Sequence, residues 1–235
     1  MGSILLGPVD ACSLNRYCST VTKKPTASAC RLVWAITSLC VCLFFSCATF
    51  SPSDLVDVKK AVPGIVLDIR YATTNNFTGK KLYDSDRTLL RRAAAYKLRN
   101  AQKEFNELGL GLKIYDAYRP VAVQKKMWEV FPQEGYVANP AKGSRHNRGA
   151  AVDVTLINLR DKKEVLMPSG YDEFTEKAHR NFKNAPAEAI QNRELLERVM
   201  HKNGFIGLPT EWWHFDDVNW KSYELLDIDS SRIKF

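Results

Sequence analysis

The stretch Ser144-Arg145-His146-Asn147-Arg148-Gly149-Ala150-Ala151-Val152-Asp153, with Glu211-Trp212-Trp213-His214 downstream of it, decides how this chain is read. Gly143 and Gly149 flank His146, so a loop can carry its ring to a shared point without strand geometry limiting it. From Ala150 to Leu156 the residues alternate: Val152, Val154 and Leu156 fall on one side, Asp153 and Thr155 on the other. With the valines in the core, Asp153 points away from it into a cleft. Glu211 and His214 stand three apart, and strict strand alternation sends them to opposite faces. Both reach one site only if a bulge or turn intervenes, and Gly207-Leu208-Pro209-Thr210 supplies an irregular entry. Two imidazoles and one carboxylate, His146, His214 and Asp153, form the ligand set of a catalytic zinc site with an open fourth position. Glu211 then stands where a general base for an attacking water belongs.

Composition narrows the alternatives. The chain has 235 residues, 45% hydrophobic and 26% charged, which suits one domain plus an extension. The net charge of +8 is spread among mixed signs with no long basic block, so it reads as a solubility feature and not as a nucleic-acid footprint. All six cysteines, Cys12, Cys18, Cys30, Cys40, Cys42 and Cys47, precede Ala48. The region after them has no disulfide available, and a metal bound there must use nitrogen and oxygen ligands. No feature points to a protein partner. His179 and His201 lie in helical, charged surroundings and read as solvated surface residues.

Residues 32–50 carry no charge and follow Lys23, Lys24 and Arg31. That is the layout of a signal sequence, and it is barely long enough for a membrane span. The expected organisation is a signal sequence, lipoprotein signal or membrane anchor over 1–50, a linker over 51–62 and one domain over 63–235. A lipoprotein-type cleavage would fall at Cys47. The expected location is the cell envelope or periplasm, exported or tethered through residues 32–50. A cytoplasmic alternative would make residues 1–50 an artefact of the start site or a docking helix.

Within the domain, Ile65–Tyr71 reads as a first strand and Thr88–Leu108 as an amphipathic helix stopped by Gly109. Gly111–Tyr118 reads as a strand ending at Arg119-Pro120, and Val121–Phe131 as a helix. Ala150–Leu156 is a half-buried strand, Arg193–Asn203 a helix ended by Gly204, and Glu211–Val218 a last strand. The fold class is α+β, a single domain with a small antiparallel sheet and packed helices.

These residues resemble a known family. Ser144-x-His146-x-x-Gly149-x-Ala151-x-Asp153 followed by Glu211-x-x-His214 is similar to the signature of the zinc D-alanyl-D-alanine dipeptidases of the vancomycin-resistance type. That superfamily also holds D-Ala-D-Ala carboxypeptidases and the hedgehog signalling domain. The resemblance runs from about Val62 to Val218. It includes Tyr71-Ala72-Thr73, Asn76-Phe77-Thr78-Gly79, Asp116-Ala117-Tyr118-Arg119-Pro120, the Met167–Phe174 stretch and Gly204-Phe205. It implies a hedgehog/D-Ala-D-Ala peptidase-like fold and one Zn2+ per chain held by His146, Asp153 and His214. Glu211 would be the general base and Arg119 the cation that stabilises an oxyanion. Ser144 would hold the substrate carboxylate, with Tyr71 and Asp172 at its ammonium group. The implied substrate is a small D-amino-acid dipeptide. Two other readings stay open: a carboxypeptidase trimming peptidoglycan stem peptides, and a wall-binding module without catalysis. Read from residues alone, Arg119 could be a surface ion pair and Asp172 a helix cap.

Overall fold

The structure, a computed structural model, describes residues 55–230 and Ile233. The stretch 32–50, read above as a signal or anchor, lies outside them, as do the cysteines. No helix among the described residues is long and apolar enough to cross a membrane.

Five strands form the sheet that carries the domain. They are β2 (Val66–Leu67), β4 (Leu110–Asp116), β5 (Ala151–Asn158), β6 (Phe205–Leu208) and β7 (Glu211–Asp217), in the order β2-β4-β5-β7-β6. The pairs β4–β5, β5–β7 and β6–β7 are antiparallel, as expected. The edge strand β2 runs parallel to β4, so the sheet is mixed. The expected first strand is also shorter than Ile65–Tyr71. After Leu67 the chain leaves the ladder, Asp68 donating its N–H to Ile114 O, and Arg70–Ala72 winds into a 3-10 turn. Within that turn the Tyr71 side chain is buried.

Two long helices cover one face. In α2 (Arg92–Glu107) the residues Ala94, Leu98, Ala101 and Phe105 are buried at helical spacing. Gln102, also buried, accepts the N–H of Leu112 and fixes the helix to β4. In α4 (Ala187–Lys202) the buried side chains are Ala189, Arg193, Leu196, Val199 and Met200. It starts earlier than the expected Arg193, directly after Pro186, a residue suited to a helix entrance. The third helix of any length, α3 (Val121–Val130), follows Pro120 as expected. Val152, Val154 and Leu156 of β5 join the same core as Leu98 and Leu196. Asp153 and Thr155 face the other way, yet they too are buried. The expected half-buried strand is covered on both sides, because loops roof the face opposite the helices.

The expected linker is a correction in part. Leu55–Asp57 forms β1, and Val58–Ala61 forms the short helix α1, capped by the Asp57 side chain. Val58 and Val62 are completely buried. β1 pairs antiparallel with β3 (Leu89–Arg91), which takes the residues expected to open the helix from Thr88. A short apolar run such as Leu89-Leu90 satisfies either geometry, and the available partner strand decides between them.

Gly149 closes the 3-10 turn His146–Arg148 with φ +65°, and its carbonyl accepts from Arg91 N at 2.8 Å. A Cβ there would stand 2.8 Å from Leu55 Cδ2, in a conformation that L residues avoid. Gly149→Ala should therefore lower the unfolding free energy by about 1–3 kcal/mol. Urea unfolding is the measurement, and an unchanged midpoint would show that the turn can rebuild without glycine.

Candidate active site

Register places the first groups. Asp116 of β4 stands opposite Asp153 of β5, and Asp153 stands opposite His214 of β7. A register shift between Ile114 and Asp116 turns the end of β4 so that Asp116 joins this row. The second irregularity lies where the sequence required one. Gly207 pairs with Phe215 but Leu208 pairs with Glu211, so β7 carries extra residues opposite the step from Gly207 to Leu208. Glu211 and His214 consequently lie on one side, with Glu211 Oε2 3.8 Å from His214 Nδ1. Arg180 pins the irregular stretch from beneath: Nε donates to Leu208 O at 2.9 Å and Nη2 to His214 O at 2.7 Å. A Cβ on Gly207 would come within 2.3 Å of that guanidinium, so only glycine leaves room for it.

His146 arrives from the loop before β5. Its Nδ1 lies 2.6 Å from Ala117 O, a carbonyl that can only accept, so Nδ1 carries the proton and Nε2 turns inward with a lone pair. On His214 the Nε2 is 2.9 Å from Asp216 Oδ1, which leaves Nδ1 inward. The inward atoms His146 Nε2 and His214 Nδ1 are 3.2 Å apart, and Asp153 Oδ1 is 3.4 and 3.0 Å from them. All three residues are buried. Without a metal, a proton on His214 Nδ1 bridges it to Asp153 Oδ1; a cation taking that proton's place would meet two imidazole lone pairs and a carboxylate oxygen. Burial alone would keep His214 neutral, but Asp216 and Asp153 outweigh it and push its pKa up to about 10. Asp153 is held far below the usual carboxylate range, the two imidazoles overcoming its burial.

The donor set fits zinc. Bonds of about 2.05 Å in a tetrahedron separate the ligand atoms by about 3.3 Å, close to each of the three distances observed here. Both imidazoles donate their outer nitrogen to an oxygen, the support that metal-bound histidines receive. His179 and His201 stay apart from the cluster. His201 is exposed as expected, whereas His179 is half-buried beside Tyr136, whose hydroxyl lies 3.3 Å from its Nε2.

Arg119 is no surface ion pair. It is buried, and its Nε and Nη2 both donate to Asp116 Oδ2, at 2.9 and 2.7 Å. Nη1 donates to Gln124 Oε1 at 2.8 Å. Burial opposes its charge, but Asp116 raises its pKa well above the ordinary value. Of its five N–H groups these contacts use three, and the rest belong to the two terminal nitrogens. Asp116 in turn accepts from Tyr83 OH at 2.7 Å and from Ala117 N at 2.9 Å.

Arg119, Ser144, His146, Asp153, Asp172, Glu211, His214 and Tyr71 all line one cleft of about 370 Å3. Ser144 Oγ accepts from His146 N at 3.2 Å, which leaves its proton available. Tyr71 OH donates to Asp172 Oδ2 at 2.9 Å. Asp172 sits in the left-handed region, φ +58°, and does not cap the next 3-10 turn, which begins after Thr175. Burial first, and then the charge of Asp153, push its carboxyl up to about 8, against the pull of Tyr71 and Arg119. Glu211 is also pushed up to about 8 by burial, with His214 opposing and Asp153 adding to the rise. Trp213 lines the cleft; Trp212, equally buried, donates Nε1 to Ser169 Oγ.

Sequence reasoning passed over several members. Asp216 was findable, since two residues past His214 on a strand means the same face. Asp116 stood inside a motif already quoted, but nothing local marked it as the anchor of Arg119. Tyr171 likewise lay inside the quoted Met167–Phe174 stretch without a mark of its own, and Gln124 and Tyr83 gave no signal, because only the fold brings them to the site.

Residues 51–226 match the family model described as D-ala-D-ala dipeptidase, Peptidase_M15. The chain is 38% identical over 176 residues to the D-alanyl-D-alanine dipeptidase of Escherichia coli K12, covering 74% of this chain and 90% of that protein. The corresponding dipeptidase of Enterococcus faecalis V583 is 33% identical over 175 residues, covering 65% and 85%. Among solved structures, the LdcB LD-carboxypeptidase aligns with a TM-score of 0.41 at 17% identity, over 79% of this chain and 81% of that one. The extent of the family match and the identity to these relatives show that the chain belongs to the D-Ala-D-Ala dipeptidase family of peptidases.

Proposed function

We propose that this chain is a zinc-dependent dipeptidase that hydrolyses D-alanyl-D-alanine. The observation that carries the reading is the spacing of the three inward donor atoms, 3.0 to 3.4 Å apart, with the Glu211 carboxylate 3.8 Å from one of them. The substrate comes from family membership and from the names of the relatives.

His146, Asp153 and His214 would hold the ion. When bound, zinc supplies Lewis acidity, easing deprotonation of a water and polarising the peptide carbonyl. Glu211 takes the proton from the attacking water and delivers it to the leaving amine. Burial raises the Glu211 carboxyl and the charge of a bound cation would draw it back down, so that it can both take and return a proton. Arg119, its fork oriented by Asp116 and Gln124, turns its remaining N–H bonds to the charge that develops on the carbonyl oxygen. The Ser144 hydroxyl donates to the substrate carboxylate, and Asp172 with Tyr71 receives the ammonium group. An arriving cation offsets the penalty that burial imposes on ionised Asp172. An anchor for each end of a dipeptide favours this reading over a carboxypeptidase that must leave the amine end open. Glu211 and Arg119 have no use in a wall-binding module without catalysis.

Metal analysis and release of alanine from D-Ala-D-Ala, L-Ala-L-Ala and a stem pentapeptide test the proposal together. Wild type should hold one zinc and cleave only the D,D-dipeptide well, and His214→Ala should lose the metal. Full zinc occupancy in that variant would remove His214 from the site. Glu211→Gln should keep zinc and lose about 10²–10⁴-fold in turnover. Activity within a few-fold of wild type would make Glu211 structural.

Arg119→Lys should also lose kcat/KM, since a point charge cannot hold Asp116 with two bonds and still reach the substrate. An unchanged kcat/KM would confine Arg119 to a structural pairing with Asp116.

We further propose that the enzyme works at the cell envelope, where D-Ala-D-Ala termini of peptidoglycan occur. The support is the uncharged stretch 32–50 behind basic residues. Alkaline phosphatase fused after Pro52 should be active, since it needs an oxidising compartment for its disulfides. An abundant but inactive fusion would place the enzyme in the cytoplasm.

A further inference from the structure

We infer that Tyr171 is a positioning residue of this site, its hydroxyl holding Asp153 Oδ2 so that Oδ1 stays turned toward His146 and His214. The inference rests on the proposed zinc site. Tyr171 OH lies 3.0 Å from Asp153 Oδ2 and 3.4 Å from Tyr71 OH. A hydroxyl has one proton, and the shorter, charge-assisted contact to the carboxylate takes it. The nearest cation on that oxygen, Arg119 Nη2, is 4.0 Å away, beyond hydrogen-bond reach. Without the phenol, Asp153 Oδ2 would be a buried carboxylate oxygen lacking its close donor. The carboxylate would then be free to rotate and offer both oxygens to the cluster.

The ring is clamped as firmly as the hydroxyl is aimed. It stacks on Tyr115 with centroids 4.4 Å apart and planes 26° apart, and it meets Trp213 edge-on at 5.4 Å. The next residue along the chain is Asp172, whose left-handed backbone sends its side chain to Tyr71 instead. One dipeptide of the Met167–Phe174 loop therefore serves both ends of the cleft: Tyr171 sets a metal ligand, and Asp172 meets the substrate.

Tyr171→Phe removes only the hydroxyl and keeps both ring contacts. Zinc affinity by chelator competition and the visible spectrum of the cobalt(II) form read the ligand set apart from turnover. Asp172→Asn, from the same loop, is the control. The expected result is zinc binding weakened about 10-fold or more in Tyr171→Phe, the scale of lost support to a ligand, with an altered cobalt spectrum. Asp172→Asn should keep zinc affinity and raise KM. A Tyr171→Phe protein with wild-type zinc affinity and cobalt spectrum would overturn the inference, even if its melting temperature fell. Equal loss of zinc affinity in both variants would also overturn it, since the loop as a whole would then be responsible. Wild type binding no zinc would remove the proposed site, and the inference with it.

Discussion

Three ionisable side chains, Asp116, Asp153 and His214, lie in one row across β4, β5 and β7, buried on the face opposite the helices. Much of the rest of the structure answers the demand that this row creates. A buried charge is costly unless it is paired and fully hydrogen-bonded. Asp116 is met by Tyr83, Ala117 N and Arg119; Asp153 by Tyr171 and two imidazoles; His214 by Asp216. The row also fixes the sheet. Because side chains alternate with a period of two, a slip of one residue between β5 and β7 would send Asp153 or His214 among the leucines of the helix face.

The two irregularities in the sheet serve the same end. The shift before Asp116 brings a third strand into the row, and the one before Leu208 turns Glu211 to the side of His214. Irregular backbone forfeits ladder bonds, and here side chains replace them. Arg180 takes the carbonyls of Leu208 and His214, and its own N–H bonds Pro209 O. Its guanidinium lies over Phe215 with 4.3 Å to the ring centroid, and burial lowers its pKa to about 10. A cation accepts that environment only because two carbonyls and Glu197 surround it.

The two halves of the cleft are built from different kinds of element. Asp153 and His214 stand on central strands and His146 on a turn, its ring held by Ala117 O, and all three residues are buried. Asp172 and Tyr71 come from a loop and a 3-10 turn, joined by one hydrogen bond across a long stretch of chain.

The sequence alone singled out the three donors that the fold brings together and pointed to a peptidase. The spacing of histidine, aspartate and glutamate suggested a metal site, the family resemblance gave each residue its role, and the lack of cysteine after Cys47 confined any metal to nitrogen and oxygen ligands. Periodicity also exposed α2 and β5, where apolar spacing is unambiguous, and it forecast the bulge that Glu211 and His214 require. It misjudged Leu89–Arg91, Ile65–Tyr71 and Leu55–Val62, because short apolar stretches take whichever geometry their neighbours complete. Only the tertiary structure decided that Arg119 is buried on Asp116, that Asp153 lies under a roof, and that Tyr171 touches it. Those facts depend on long-range pairing between strands and loops, and the cost of leaving a buried charge without a partner is set by what the fold brings alongside it.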